Sequence, residues 1–314
     1  MNYQPYLLET ENLTKEFGDL TAVNDLTLKI REGEIFGFLG PNGAGKTTAI
    51  RMMVGLLKPT SGQVKLTANG NRNTRPDFGI CPQDLVLWEQ LTCRENLYFI
   101  GKMYDVPGDT LESRLDDILE KLNLSEKKDT TAAELSGGMK RKLNMGMSLM
   151  HKPEIVVLDE PSAGLDPQSR FSLWEYIVGL RKEENTTIIL TTHLMEEADR
   201  LSDRVGIMDR GKMLVVDNPG ELKKSVGEGD SVTIELDDSQ RNEEALEELK
   251  ALEGTEEVRE VKEKLIVRAL DAVGKVPDYM EHLEKKGFDI SDISISRTNT
   301  LEDVFIHLTG RELE

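Results

Sequence analysis

GPNGAGKT, residues 40–47, decides the fold. It fits the phosphate-loop pattern G-x-x-x-x-G-K-[ST] at every fixed position. Upstream, EGEIFGFLG (32–40) ends in an apolar run suited to a buried strand, and downstream KTTAIRMMVGLL (46–57) has helical periodicity. Strand–loop–helix is the context this motif requires. Gly40, Gly43 and Gly45 let successive backbone N–H groups curl into an anion nest at a helix N-terminus. Pro41, Asn42 and Ala44 complete the loop, and Thr48 follows it. Lys46 is placed to reach the β- and γ-phosphates, and the Thr47 hydroxyl to ligate Mg²⁺. The plainer alternative is a Gly-rich turn with a chance lysine, which the flanking strand and helix argue against. The stretch predicts binding of a nucleoside triphosphate.

At 314 residues the chain predicts two domains with a sizeable core. Its net charge of −19 is uneven: residues 221–314 hold 25 acidic and 13 basic side chains, while residues 1–220 hold 33 and 26. No basic stripe suits a phosphate backbone, so nucleic acid is not expected as a partner. Cys81 and Cys93 are the only cysteines, and their spacing fits no metal or redox motif. They fit a reducing compartment. The N-terminus (MNYQPYLLETENL) lacks the basic and apolar regions of a signal peptide. Apolar runs such as IVVL (155–158) are strand-sized, far below the roughly 18 residues of a membrane span. The chain is expected to be soluble, with any membrane role arising through a partner.

Residues 1–80 read as strand-rich, and about 84–150 as a helical insertion containing TLESRLDDILEKLNL, with Leu111, Leu115, Ile118, Leu119 and Leu122 on one stripe. Strands and helices alternate again from EIVVLD (154–159) to RVGIMDRG (204–211), which implies an α/β fold with a parallel sheet. NPGELKKSVGEGD (218–230) reads as a boundary, dividing 1–220 from an acidic domain 221–314. Beyond it the order βαββαβ suggests a ferredoxin-like split fold, followed by a helix, LEDVFIHLTGREL.

IVVLDEP (155–161) is a second nucleotide motif, a buried strand ending in two carboxylates. At the carboxyl end of an open sheet, Asp159 suits the Mg²⁺ hydration shell, and Glu160 suits a general base or water-orienting group. A strand-end cap is the alternative for an isolated pair. A third element, AELSGGMKRKLNMGMSLM (133–150), opens a helix with Ser136, Gly137 and Gly138, a second anion site. A chain with one triphosphate loop has no use for it, but a head-to-tail pair of copies does.

Together these motifs resemble the ATP-binding subunits of ATP-binding-cassette (ABC) transporters, in the family's order across residues 7–215. Gly40–Thr47 is similar to the Walker A loop, Ile155–Glu160 to Walker B with its catalytic glutamate, and Leu135–Met139 to the signature. The resemblance implies that Gln83 contacts Mg²⁺ and the attacking water and hinges the helical subdomain. It implies that Asp166, in SAGLDP (162–167), lies at the dimer interface, and that His193, in LTTHLMEEAD, senses the γ-phosphate. Phe17, in TKEFG, matches the adenine-stacking aromatic, with a plain core residue as the alternative. The signature has Met139 where the family most often has Gln, and the adenine platform is Phe rather than Tyr. LSGGMKRKL and the tail TLEDVFIHLTG (300–310) resemble the ATPases of type-2, daunorubicin-resistance-like exporters.

The expected fold is thus a P-loop ATPase core, with antiparallel β and helical subdomains, followed by a small α+β domain. The expected cofactors are ATP and Mg²⁺. The expected partners are a second copy and a separate permease, at the inner face of the cell membrane. The competing readings are a soluble ABC ATPase acting on nucleic acid or ribosomes, which typically carries two cassettes or long coiled coils, and a non-hydrolysing ATP-binding regulator.

Overall fold

The computed structural model describes residues 6–67, 77–225, 230–252, 254–255, 257–261, 263–269, 272–296 and 300–311. The chain divides into two compact units, Met1–Val216 and Asp217–Glu314.

In the first unit, β1 (Tyr6–Phe17) and β2 (Leu20–Arg31) form a hairpin. Val23, Leu26, Leu28 and Ile30 face inward between exposed neighbours, the pattern of a sheet wetted on one face. β3 (Ile35–Leu39) is buried on both faces and runs through residues 40–45 into α1 (Lys46–Met53). β4 (Ser61–Leu66) joins the hairpin in a three-stranded antiparallel sheet of order β2-β1-β4. β5 (Phe78–Cys81) precedes the helical subdomain, α2 (Cys93–Met103), α3 (Gly108–Lys121) and α4 (Gly137–Leu149). A Thr92–Glu95 capping box starts α2, and Leu111, Leu115, Ile118 and Leu119 form the buried stripe of α3. Then follow β6 (Ile155–Asp159), α5 (Pro167–Glu184), β7 (Thr187–Thr192), α6 (Met195–Leu201), β8 (Arg204–Asp209) and β9 (Lys212–Asp217).

The six-stranded sheet has the order β5-β6-β7-β3-β8-β9, with its first five strands parallel. Its apolar strands feed two cores because successive side chains point to opposite faces. Val156, Leu158, Ile188 and Leu190 join the helical subdomain on one side. Ile155, Val157, Ile189, Phe36 and Phe38 join the β1–β2 hairpin and α1 on the other. β9 is absent from the sequence reading. A two-residue turn at Arg210–Gly211, both at positive φ, folds it back beside β8.

The second unit begins with α7 (Pro219–Ser225), where the sequence suggested only a boundary. Asn218 Oδ1 accepts from the Glu221 N–H at 2.9 Å and Pro219 occupies the first helical position, so Asn-Pro here starts a helix. β10 (Asp230–Leu236), α8 (Asn242–Lys250), β11 (Glu257–Val261), β12 (Lys264–Ala269), α9 (Ala272–Lys285) and β13 (Ile290–Ser296) follow. The sheet order β11-β12-β10-β13, antiparallel throughout, is the split βαβ arrangement expected from the element order. α10 (Leu301–Thr309), capped reciprocally by Thr300 and Asp303, closes the chain. The domain has its own core, which includes Val232, Ile234, Leu265, Val267, Tyr279 and Leu283.

Candidate functional site

Parallel strand order assembles the site. Leu39 pairs with Thr192 and Asp159 with Thr191, so the loops after β3, β6 and β7 leave the sheet at one edge. β5 is in parallel register with β6, which brings Pro82 and Gln83 to the same edge. This is where open α/β sheets place ligands.

In the loop at 40–47, Gly43 and Gly45 lie at φ +80° and +102°. A Cβ on Gly45 would come within 2.3 Å of the Ala22 carbonyl oxygen, so both backbone shape and space require glycine there. Lys46 is buried, and its Nζ donates to the carbonyls of Gly40 (2.6 Å) and Pro41 (3.0 Å). Its ammonium lies 3.8 Å from Glu160 Oε1, an ion pair beyond hydrogen-bond reach. Burial lowers its pKa, and the opposing fields of Glu160 and Asp159 offset part of that shift.

Thr47 Oγ1 lies 3.2 Å from each oxygen of Asp159, and the Thr191 hydroxyl also donates to that carboxylate. This converging set of hard oxygens suits a magnesium ion held partly by protein and partly by phosphate. Among the described residues, no cluster of three His, Cys, Asp or Glu side chains offers an all-protein metal cage.

Glu160 is buried and sits at φ +50°, uncommon for a residue with a side chain. Its N–H donates to the hydroxyl (3.0 Å) and carbonyl (3.2 Å) oxygens of Thr191. Its Oε2 lies 2.8 Å from His193 Nδ1, so Lys46, Glu160 and His193 form one chain of polar contacts.

Of the other sequence-predicted residues, Phe17, Gln83, Ser136, Gly137 and Asp166 are exposed, Gly138 is half-buried, and Ala44 is buried within the loop. Ser136 caps α4 by accepting from the Met139 N–H, and a Cβ on Gly137 would meet nothing within 4 Å. Asp166 caps α5, and the Ser169 hydrogen bonds hold its carboxyl below the usual range. Gln83 is exposed, with its carbonyl held from within the protein. Phe17 is 50% exposed at the end of β1, with the Lys15 ammonium 5.0 Å from its ring centre. This excludes the plain core reading of Phe17.

Sequence reasoning missed several groups. Thr191 and Arg141 are both buried and bonded to the Asp159–Glu160 segment. Glu197 is fully buried and accepts from Ser162 Oγ and, at 2.9 Å, from Trp174 Nε1. Burial pushes its pKa up. Arg141 did carry a signal: it lies three residues before Asn144 and four before Met145, on the buried stripe of α4. Both thiols are buried and unpaired, and burial raises the Cys81 pKa to about 11, which leaves it inert.

Residues 23–163 match the protein family described as ABC transporter. The chain is 36% identical to the linearmycin resistance ATP-binding protein of Bacillus subtilis, over 98% of this chain and 99% of that one. It is 32% identical to a daunorubicin resistance ATP-binding protein of Streptomyces coeruleorubidus, over 98% and 97% of the two chains. Among solved structures it is similar to CbiO1 from Clostridium perfringens, part of an ABC transporter complex. The TM-score is 0.63 at 29% identity, covering 70% of this chain and 93% of that one. The chain belongs to the ABC transporter family, as an ATP-binding and ATP-hydrolysing subunit.

Proposed function

We propose that two copies of this chain clamp two ATP molecules between them and drive export through a separately encoded permease at the inner face of the cell membrane. The observation that carries this reading is the joining of Lys46, Thr47, Asp159, Glu160 and His193 at one sheet edge, in a chain that also exposes a helix start at Ser136 and Gly137. One copy thus has a phosphate site and an anion-binding helix start; a second copy gives that helix start a nucleotide to close on. Full-length similarity to two drug-resistance ATP-binding proteins supports the exporter assignment.

In this reading the amides of residues 40–48 cradle the phosphates and Lys46 offsets their charge. Thr47, Asp159 and Gln83 hold magnesium, which when bound neutralises developing phosphate charge. Glu160 accepts a proton from the attacking water or orients it, and His193 fixes the free Glu160 oxygen toward that task. Phe17 stacks on adenine and Asp166 lies at the interface between copies.

A groove of about 610 Å³ joins the site to the helical subdomain, lined by Thr47 and Asp159, by Ile100 of α2 and by Tyr104, which caps the end of that helix. Leu56 and Val86, 66% and 59% exposed, also line it. An apolar groove reaching the phosphate site suits a permease segment that must sense closure. Among the described residues no helix is long and apolar enough to cross a membrane. Val86→Glu and Leu56→Glu are expected to leave the basal ATPase within about twofold, as exposed substitutions usually do. Both are expected to abolish stimulation in vesicles carrying the co-expressed permease. Stimulation by RNA in place of the permease would favour the soluble-ATPase reading instead.

Residues 221–314 act, in the same proposal, as an accessory domain that stabilises the pair or regulates it. Truncation after residue 220 is expected to weaken ATP-dependent pairing measured by light scattering. Unchanged pairing, ATPase and transport in the truncated protein would remove that role.

A further inference from the structure

α4 starts at the exposed Ser136 and Gly137 and carries a basic residue where its buried stripe calls for an apolar one. That residue, Arg141, is 4% exposed. Its Nη1 donates to the carbonyls of Pro82 (2.7 Å) and Gln83 (2.8 Å). Its Nη2 donates to those of Asp159 and Glu160 (both 2.6 Å), and its Nε to that of Pro161 (3.1 Å). A guanidinium has five N–H donors, and here each meets a backbone carbonyl. None of these acceptors is a carboxylate, so the group is not half of a salt bridge. It is a clamp joining three segments: α4, the loop after β5, and the end of β6.

The clamp closes on the backbone that sets the Glu160 side chain. Glu160 holds a left-handed φ of +50°, with its N–H fixed by Thr191 and its carbonyl by Arg141. That backbone conformation persists only where the surroundings over-determine it. The direction of the Glu160 carboxylate, 2.8 Å from His193, follows from it.

We propose that Arg141 is a positioning residue for hydrolysis. It fixes the Glu160 peptide and the Gln83 loop to the helix whose start engages the second copy's nucleotide, so that closure at Ser136–Gly138 aligns Glu160. This rests on the ATPase reading above and adds to it a physical link between the two nucleotide contacts of one copy. Lysine cannot replace this link, because an ammonium has three donors and no planar fork for five carbonyls.

The test compares the parent with Arg141→Lys and Arg141→Met as full-length chains, measuring Tm, equilibrium affinity for a fluorescent ATP analogue, and kcat and KM for hydrolysis. The five Arg141 donors are taken by carbonyls outside the phosphate loop, so affinity and KM are expected to stay within about threefold of the parent. kcat is expected to fall roughly 10- to 100-fold, the scale of an ångström-level misplacement of a reacting group. A kcat within twofold of the parent in either folded variant overturns the proposal. So does a fall in affinity that matches the fall in kcat, or failure of both variants to fold, since either makes Arg141 a structural strut. Failure of the ATPase reading itself is separate, because the parent would then not hydrolyse ATP.

Discussion

Glu160→Gln is expected to bind ATP within about threefold of the parent and to lose at least 100-fold in turnover, within the range that general bases contribute. The substitution keeps the size of the side chain and leaves the backbone bonds to Thr191 and Arg141 in place. What it removes is the ability to accept a proton at the carboxylate beside His193. It also removes the negative partner of Lys46, 3.8 Å away, which frees the ammonium to serve the phosphates alone. Both changes favour binding over chemistry, so ATP is expected to hold the paired state. Steady-state phosphate release measures the first effect. Light scattering of the purified variant, with and without ATP, measures the second. Hydrolysis within threefold of the parent, or a variant that stays monomeric in saturating ATP, would remove Glu160 from its assigned role.

The groups that meet at this sheet edge were legible because their motifs are contiguous and sit at strand ends. Once three parallel strands are inferred, the loops after Leu39, Asp159 and Thr192 have to share an edge. The split βαβ domain was legible for a similar reason: its strands alternate and their order specifies the sheet. Arg141 was not legible as a clamp, because its five acceptors are backbone carbonyls, which every residue type supplies. Only the fold brings Pro82, Gln83 and residues 159–161 to one guanidinium. β9 and α7 escaped because each depends on a local turn or cap, at Arg210–Gly211 and Asn218, rather than on a long apolar period. The roles of Phe17, Gln83 and Asp166 come from family resemblance: each side chain lies at the surface, where geometry within one copy does not select among partners.

Lys46→Ala is expected to weaken ATP binding by at least 30-fold. Truncating one member of a buried, hydrogen-bonded charge arrangement costs about 2–5 kcal/mol, and this lysine is buried among such groups. Its loss has two consequences of the same sign. The phosphates lose their buried cation, and Glu160 and Asp159 are left to repel an anionic ligand without it. The local structure loses less: the part-buried Pro41 carbonyl can turn to solvent at the loop, and only the buried Gly40 carbonyl is left without its donor. The loss should therefore fall on affinity more than on folding, with a Tm shift small beside the change in binding. Equilibrium titration with a fluorescent ATP analogue, alongside thermal unfolding, separates the two. An affinity unchanged in a folded variant would mean that residues 40–47 are not where the triphosphate binds, and every role assigned around that loop would fall with it. An equal loss of affinity and stability would instead make Lys46 a structural tie within the loop. The expected pattern, weak binding in a chain that still folds, is the one that a phosphate site built on a helix N-terminus requires.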